Sequence, residues 1–319
     1  MSGDRVLTFR TEHGGVRADR AVADGAGCGR RKARRWIAEG RVTADGRRVA
    51  ASTNLDAGVV VEVATPALTR SPTAGSVDVP IGARIVARTD DWLAVDKPAG
   101  IHTQAGRSGG TLAEFLAQQV GDLSGVGEHA EEFGTVHRLD RDTSGVVLVA
   151  TTPALYDAAR SAFGGGAVAK TYLAIVAGRV TAPARIDFAL ARRGPRVVAA
   201  GRHDRPLAAT TFVRPLATSG LASLVEATSR SGAPHQIRVH LSGVGHPLFG
   251  DPLYGGPPSP DRARDGHLLH ALRLKWRGTL DVSVAPAADF VRAWTLLGRH
   301  DRRDGLRREA RRGEPGDRN

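Results

Sequence analysis

Apolar and polar residues alternate along this chain in short blocks that predict strands and helices. The run V-V-L-V-A at residues 146–150 is rich in β-branched residues and too short for a normal helix. It therefore predicts a strand buried on both faces. Residues 92–95 and 169–177 predict two further strands. A capping-box pattern that begins at Thr111, and a Thr-Pro pair at residues 152–153, each predict the start of a helix.

The first part of the chain predicts a smaller, separate unit. Residues 17–64 contain two short helical patterns, followed by a hairpin whose tight turn is an Asp-Gly pair at residues 45–46. Residues 1–15 are expected to be a flexible lead-in. Residues 65–81 are rich in Pro, Thr, Ser, Ala and Gly without periodicity, which predicts a linker. A larger domain is expected at residues 82–297, followed by a disordered, arginine-rich tail at 298–319.

Charge adds information that the hydrophobic pattern does not carry. The 319 residues include 45 Lys and Arg against 33 Asp and Glu, which gives a net charge of +12 and a pI near 11.0. Such a surplus indicates a polyanionic partner, most simply a nucleic acid. The alternative is a solvated, arginine-rich surface without a partner. Part of this surplus is a cluster of four arginines on the outer side of the second predicted helix, namely Arg30, Arg31, Arg34 and Arg35.

Cysteine and hydropathy exclude several other classes of protein. Cys28 is the only cysteine, so neither an intramolecular disulfide nor a cysteine-based zinc site can form. No H-E-x-x-H spacing is present, and no metal ion is predicted. Because the sequence shows neither a signal peptide nor an 18-residue apolar run, we expect a cytoplasmic protein without membrane association.

The densest group of reactive side chains stands directly before the buried strand at 146–150. The segment H-R-L-D-R-D-T-S at residues 137–144 combines two carboxylates, two guanidiniums, a histidine and two hydroxyls. A polar loop fixed to a buried strand is a common support for catalytic side chains. Taken alone, the same segment is more simply explained as a charged surface turn in front of a core strand.

Four separated motifs resemble those of the RluA-type pseudouridine synthases. They are H-R-L-D-x-x-T-S-G from His137, the K-P-A-G turn from Lys97, K-T-Y-L-A from Lys170, and H-Q-I-R-V-H from His235, which continues into G-H-P-L-F-G-D-P-L-Y. L-L-H-A at residues 268–271 is similar to the family's last motif. The resemblance covers about residues 17–295. It implies an α+β (mixed α/β) catalytic domain with a mainly antiparallel sheet, preceded by a small αL RNA-binding domain.

The resemblance also implies roles for particular residues. Asp140 would be the catalytic carboxylate, Arg238 would pair with it, and Tyr172 would lie against the target base. The family has G-R-T where this chain has G-A-P at residues 232–234, which puts one RNA or supporting contact in doubt. The further residues expected to bind RNA or substrate are Arg138, His137, Thr143, Lys97, His235, Gln236, Leu269, Arg30, Arg31, Arg34 and Arg35.

The implied reaction explains these residue types. Pseudouridylation breaks the bond between uracil nitrogen and ribose and rejoins the base through carbon 5, so it needs no redox cofactor. A uridine in folded RNA must first be flipped out, at a cost of roughly a few kcal/mol. A carboxylate can then act as a nucleophile, stabilise positive charge on the sugar, or remove a sugar proton, and the sequence leaves these routes open. A guanidinium beside it would keep a buried carboxylate ionised.

Two other functions compete with this interpretation. The spacing of Asp140, Asp142 and Ser144 is close to the D-x-D-x-T motif of aspartyl-phosphate phosphatases, but that motif follows a strand whereas here the strand follows the motif. A non-catalytic RNA-binding protein of the same fold would not need to keep Asp140, Tyr172 and Arg238 together. We therefore expect a monomeric RNA pseudouridine synthase acting on ribosomal RNA, most simply that of the large subunit.

Overall fold

A computed structural model describes residues 5–26, 30–65, 82–104, 110–121, 123, 125–129, 132–194, 196–261 and 265–298. Most of the predicted linker, Cys28 and nearly all of the predicted tail lie outside these residues. Of the described helices, none is long and apolar enough to cross a membrane.

The N-terminal unit is a small sheet with two helices packed on it. Its sheet has the order β1-β6-β3-β4, and α1 and α2 bury Val22, Trp36 and Ile37 against it. The predicted helices and the hairpin at residues 45–46 are confirmed. Its elements are β1 (Arg5–Arg10), β2 (Val16–Arg17), α1 (Ala18–Gly25), α2 (Arg30–Ala38), β3 (Val42–Ala44), β4 (Arg47–Arg48), β5 (Asn54–Leu55) and β6 (Val60–Thr65).

The flexible lead-in expected for residues 1–15 is wrong in its described part. β1 pairs antiparallel with β6 along its whole length, from Arg5 opposite Thr65 to Arg10 opposite Val60. Leu7 and Phe9 point from β1 into the small core. The segment is a strand because it pairs with the edge of β6, whose partner residues lie 50 to 60 positions further along the chain. A short, charge-flanked sequence gives no local signal of that pairing.

The larger unit is built on a single mixed sheet with the order β11-β14-β15-β10-β16-β9-β8-β7, and β17 pairs with β16. All its recorded pairings are antiparallel except β16 with β9, so the predicted, mainly antiparallel sheet is confirmed. The strands are β7 (Arg84–Arg88), β8 (Trp92–Lys97), β9 (Ser144–Ala150), β10 (Val168–Ala177), β11 (Ala184–Ile186), β12 (Leu190–Arg193), β13 (Arg196–Ala199), β14 (Thr211–Ser219), β15 (Ala222–Ser229), β16 (Leu269–Trp276) and β17 (Leu280–Ser283).

Two of the helices that pack on the sheet, at residues 112–119 and 153–164, begin where the sequence predicts. Thr111 and Glu114 form the expected capping box, and Thr152 accepts a hydrogen bond from the backbone N–H of Leu155. All seven residues of β9 are buried, as predicted for a central strand. The helices are α3 (Leu112–Gln119), α4 (Pro153–Gly164), α5 (Gln236–Gly243) and a final helix at residues 288–298; Pro252–Tyr254 forms one 3₁₀ turn.

Sheet order brings the predicted site residues together. The strands β10, β16 and β9 are neighbours, so Tyr172 on β10 lies close to the loop that ends at the start of β9. β15 borders β10 on its other side, and the chain leaving β15 leads directly into α5, which carries Arg238. Residues almost 100 positions apart thus converge at one end of three adjacent strands.

Candidate active site

Asp140 lies in the loop before β9, and the two turns around it fix its position. The backbone N–H of Thr143 donates to the carbonyl of Asp140 at 3.1 Å. One residue earlier, Thr103 binds Leu139 twice, donating from its hydroxyl to the carbonyl at 3.1 Å and accepting from the N–H at 3.2 Å. The Asp140 side chain keeps 27% of its surface exposed. The carboxylate is therefore held by a rigid loop and is still accessible to a ligand.

The K-P-A-G turn supports this loop from behind, and it corrects the prediction for Lys97. The Lys97 side chain is completely buried, and its ammonium donates to the carbonyls of Pro98, Ile101 and Arg141 at 2.9, 2.9 and 3.0 Å. A phosphate cannot reach it. The backbone N–H of Gly100 donates to the carbonyl of Arg141 at 2.9 Å. Lys97 thus joins the turn to the loop of Asp140, which is a structural role rather than the predicted contact with RNA.

Arg238 makes the contact predicted for it. On the buried side of α5, its Nη1 donates to Oδ2 of Asp140 at 2.8 Å. Its Nε and Nη2 donate to the two carboxylate oxygens of Asp251 at 2.7 and 2.8 Å. The plane of one guanidinium thus bridges two carboxylates, a geometry that lysine cannot provide.

Sequence reasoning did not single out Asp251, although it stands within the matched G-D-P-L-Y motif. Its side chain is 0% exposed, whereas Arg238 is 9% exposed. Burial of a guanidinium is unfavourable, and the hydrogen-bonded Asp251 more than offsets it, so the pKa of Arg238 is raised. Asp251 fixes the orientation of Arg238, which leaves one of its nitrogens directed at Asp140.

The ionisation of Asp140 follows from its surroundings. Burial by itself would raise the pKa of the carboxyl group, but His235 and His267, when they are protonated, and the permanently charged Arg238 outweigh it, and the pKa is lowered overall. Asp140 is therefore an anion throughout the neutral range. An anionic carboxylate is required both of a nucleophile and of a base.

His235 also lies beside Asp140, and its backbone has an unusual conformation. It precedes α5 with φ of 53°, in the left-handed region. Its Nε2 lies 3.8 Å from Oδ1 of Asp140, and its Nδ1 lies 2.7 Å from the hydroxyl of Tyr254. The pKa of His235 is lowered, mainly by burial, so the ring is neutral at neutral pH. Such a strained residue beside a carboxylate is typical of functional sites.

Tyr172 lies in the same site as Asp140. It is half-buried on β10 opposite Ala271 of β16, and Ala271 in turn pairs with Gly145 of β9. Burial, and secondarily the charge of Asp140, raise the pKa of Tyr172, so its hydroxyl stays protonated. The close packing here depends on Gly145, because a methyl group at that position would lie 2.2 Å from the carbonyl oxygen of Ala271.

Several other predicted residues form bonds within the protein. His137 stacks on Phe163 with centroids 4.6 Å apart, and its Nε2 accepts from the N–H of Leu148. The Gln236 amide is buried and bonded to Ser231, among other groups. These contacts assign both residues a structural role, and RNA binding by either finds no support.

Of the remaining predicted residues, Thr143 is buried and lies 2.7 Å from Nε2 of His267, a neighbour of Asp140 that sequence reasoning missed. Leu269, at the start of β16, is 4% exposed and packs within a buried apolar cluster. Arg138 is exposed, with a 3.5 Å contact to Gln104, and is available to RNA.

The arginines of α2 are organised by a residue of α1. Arg30 and Arg34 approach Asp19 at 3.4 and 2.6 Å, and Arg17 approaches it at 3.2 Å. Asp19 is completely buried, whereas the three arginine side chains are 43–55% exposed. Asp19 thus holds the guanidiniums at the surface in a fixed array. Arg35 is a third exposed, and the side chain of Arg31 lies outside the described part.

Comparisons with known proteins agree with this arrangement. Residues 91–243 match the RNA pseudouridylate synthase model, and residues 13–61 match the S4 domain model. An uncharacterized RNA pseudouridine synthase of Mycobacterium bovis is 32% identical over 92% of this chain and 98% of its own length. A ribosomal large subunit pseudouridine synthase D of Pseudomonas aeruginosa is 32% identical over 69% of this chain and 68% of its own length.

A synthase of the latter name from Zymomonas mobilis is 36% identical over 61% of this chain and 60% of its own length. Among solved structures, human RNA pseudouridylate synthase domain containing 1 superimposes with a TM-score of 0.51, at 26% identity, over 64% of this chain and 83% of that one.

The fold and the matches define the class of protein. The chain belongs to the RNA pseudouridylate synthase family, whose members are isomerases. Within that family it is of the RluA type, with an N-terminal S4 domain.

Proposed function

We propose that this protein converts specific uridines of large-subunit ribosomal RNA to pseudouridine, with Asp140 as the catalytic group. The central observation is the ionised Asp140 held at 2.8 Å by a guanidinium that Asp251 fixes from its other side. The names of the relatives from Pseudomonas and Zymomonas support the ribosomal substrate. The basic array on the S4 domain supports an RNA substrate in general. That the protein is a monomer and acts in the cytoplasm remains a prediction.

In this proposal each side chain acts on a flipped uridine. Asp140 attacks the uridine, or assists cleavage by stabilising the sugar or removing its proton, and both routes need the anionic form. The ring of Tyr172 supports the uracil from one side, and its protonated hydroxyl lies near the reacting carbon. Arg138 occupies the space that the flipped base leaves, or binds a neighbouring phosphate. The reaction is an isomerisation, so its atoms and electrons balance without a cofactor.

The order of elements argues against the phosphatase alternative. In that class the acidic motif follows a strand, whereas here β9 (Ser144–Ala150) begins after Asp140 and Asp142. A non-catalytic RNA-binding protein would not require the geometry in which Arg238 bridges Asp140 and Asp251. The catalytic interpretation uses that geometry directly.

Asp140→Asn tests the proposal. The substitution is nearly isosteric and removes the charge, so product formation should be abolished while RNA affinity changes little. Pseudouridines should be mapped by chemical probing of total RNA from cells with the protein, without it, and with the variant. Sites that disappear in the last two samples identify the target. Persistence of every site in the variant would remove Asp140 from catalysis, and loss only outside the large-subunit RNA would overturn the substrate.

A further inference from the structure

The hairpin of β12 and β13 stands apart from the main sheet and carries a basic surface. Its two strands pair with each other, from Leu190 opposite Ala199 to Arg193 opposite Arg196, and Leu190 also forms a bridge with Leu207. Between residues 190 and 207 the chain has five arginines and a single carboxylate, Asp204. All five arginines are exposed, and only Arg193 pairs with that carboxylate, at 2.8 Å. The arginines are Arg192, Arg193, Arg196, Arg202 and Arg205.

The base of the hairpin is firmly anchored next to the active site. Leu190 and Val197 are 0% and 3% exposed and pack with Val239 of α5, the helix that carries Arg238. Tyr254 packs against the same cluster. The hairpin is therefore a rigid arm with an apolar base and a charged outer surface. A merely solvated face would not require such an anchored base.

Tyr254 connects this base to the residues around Asp140. Its hydroxyl accepts a hydrogen bond from the backbone N–H of Val197 at 3.2 Å and lies 2.7 Å from Nδ1 of His235. Its ring lies 5.0 Å from the guanidinium of Arg238. One side chain thus touches the arm and two of the residues that adjoin the catalytic carboxylate, His235 and Arg238.

The hydrogen bonds of Tyr254 are compatible with one particular tautomer of His235. The Tyr254 oxygen accepts from the N–H of Val197, and its own proton can be donated to Nδ1 of His235. A neutral imidazole that accepts at Nδ1 carries its proton on Nε2. That nitrogen is the one 3.8 Å from Oδ1 of Asp140, so in this tautomer its N–H faces the carboxylate. A shift of the hairpin base would change the bond to Tyr254 and, through it, the position of this N–H.

On the basis of the function proposed above, we propose that the arm binds the RNA backbone beside the target uridine, and that Tyr254 is a positioning residue that couples this contact to Asp140. The partner is recognised by its phosphates, which exposed guanidiniums bind in a bidentate manner. The coupling explains why a surface hairpin is bonded to an active-site tyrosine. It also assigns a purpose to the left-handed conformation of His235, which aims both ring nitrogens at partners.

Two variants separate binding from coupling. In the arm variant, Arg192, Arg196 and Arg202 become Gln, which leaves the pair of Arg193 with Asp204 intact. The matched control changes three exposed arginines elsewhere, Arg88, Arg179 and Arg277, to Gln. Each lost phosphate contact flattens the slope of log affinity against log salt by about 0.7–0.9. We expect the arm variant to lose about two units of slope and to bind more weakly than the control.

Tyr254→Phe keeps the ring over Arg238 and removes only the hydroxyl. RNA affinity and salt slope should be unchanged, whereas the single-turnover rate at saturating RNA should fall about tenfold. The three arm substitutions should also lower this rate when they are made in the parent protein. When they are made in the Tyr254→Phe protein they should add little further loss, because both changes break the same connection. Thermal melting of each variant, compared with the parent, identifies any loss that comes from unfolding.

Each part of the proposal can fail separately. An arm variant with the same affinity and salt slope as the control would overturn the RNA contact. Fully additive losses of rate, or an unchanged rate for Tyr254→Phe, would overturn the coupling. Failure of the proposed function is distinguishable, since the parent protein would then yield no pseudouridine although the salt slopes could still be measured.

Discussion

At the scale of single residues, the site depends on one guanidinium shared by two carboxylates. Arg238 is nearly buried, and it is Asp251 rather than Asp140 that takes two of its hydrogen bonds. Removing one partner of a buried ion pair leaves an uncompensated charge, which typically costs about 3–5 kcal/mol. The contribution of Asp251 is therefore indirect, since it acts on Asp140 by fixing Arg238.

Asp251→Asn should lower both stability and turnover. We expect the free energy of unfolding to fall by up to about 3–5 kcal/mol, because the asparagine cannot neutralise Arg238. The single-turnover rate should fall at least tenfold, with RNA affinity unchanged. Denaturant unfolding and rapid-quench assays measure the two effects. The control is Asp281→Asn, which breaks the exposed pair with Arg273 and should change neither quantity. If the two variants behave alike, Asp251 does not support the site.

The pH dependence should reveal how Asp140 is kept ionised. Its pKa is lowered, so the stability it contributes is complete above the ordinary carboxyl pKa of about 3.9 and is lost only as the pH falls through the lowered value. Its ionisation should not limit turnover between pH 5 and 8. Replacing Arg238 by Gln together with Asp251→Asn removes the cation without leaving a lone buried carboxylate at position 251.

In this double variant burial is opposed less strongly, so the pKa of Asp140 should rise and turnover should begin to decline at a higher pH than in the parent. Single-turnover rates across pH 4.5–8 measure the shift. Identical pH profiles would show that Arg238 does not set the ionisation of Asp140.

Sequence motifs predicted the residues that meet at the site but not how they are supported. Asp140 and Arg238 are in direct contact, and Tyr172 lies near enough to Asp140 for its pKa to respond. Lys97 was assigned wrongly, because a lysine in a Pro-Gly turn resembles a surface residue, and only tertiary packing brings three carbonyls around it. Asp251 was overlooked for the same reason, since no local pattern shows that a loop aspartate will meet a helix.

At the scale of elements, the active site depends on the close approach of β9 and β16. Sequence predicted β9 from its apolar run, but its parallel pairing with β16 is a long-range feature that no local pattern shows. Gly145 permits this pairing, with φ of 112° and its Cα against the backbone of Ala271. The same approach aligns Ser144 with His270, whose Nδ1 lies 3.0 Å from the serine hydroxyl. Gly145 thus has a structural role in the T-S-G motif, because it permits this pairing of the two strands.

Gly145→Ala should therefore disrupt the sheet beside Asp140. The added methyl group would lie 2.2 Å from the carbonyl oxygen of Ala271, and backbone rather than a flexible side chain would have to move. We expect a fall in melting temperature of several degrees or a failure to fold. Gly278→Ala is the control, because its φ is also positive, at 79°, but no atom lies within 4 Å of the added methyl group. Equal melting temperatures for the two variants would contradict this explanation.

At the scale of the whole molecule, positive charge is arranged in at least two exposed groups with different supports. One is the array around Asp19 in the N-terminal unit, where a buried carboxylate holds three arginines. The other is the hairpin of β12 and β13, which is anchored beside the active site. The sequence showed the first group as a cluster on one helix and did not show the second. A net charge of +12 predicts affinity for a polyanion but does not assign a task to each group.

The last prediction separates affinity from turnover in the N-terminal array. Changing Arg30, Arg31, Arg34 and Arg35 to Gln, with Asp19→Asn so that no buried carboxylate loses its cations, should weaken RNA binding. The salt slope should flatten by up to about one unit for each lost phosphate contact. Turnover at saturating RNA should change little, because these side chains make no contact in the transition state.

Filter binding over a range of salt concentrations measures the slope, and single-turnover assays at saturating RNA measure the chemistry. The triple change of Arg88, Arg179 and Arg277 to Gln controls for a general loss of charge. A slope equal to that of the control would make the array an ordinary solvated surface. A loss of turnover at saturation, with the melting of the catalytic unit unchanged, would mean that the array positions the uridine at Asp140 and does more than retain the RNA.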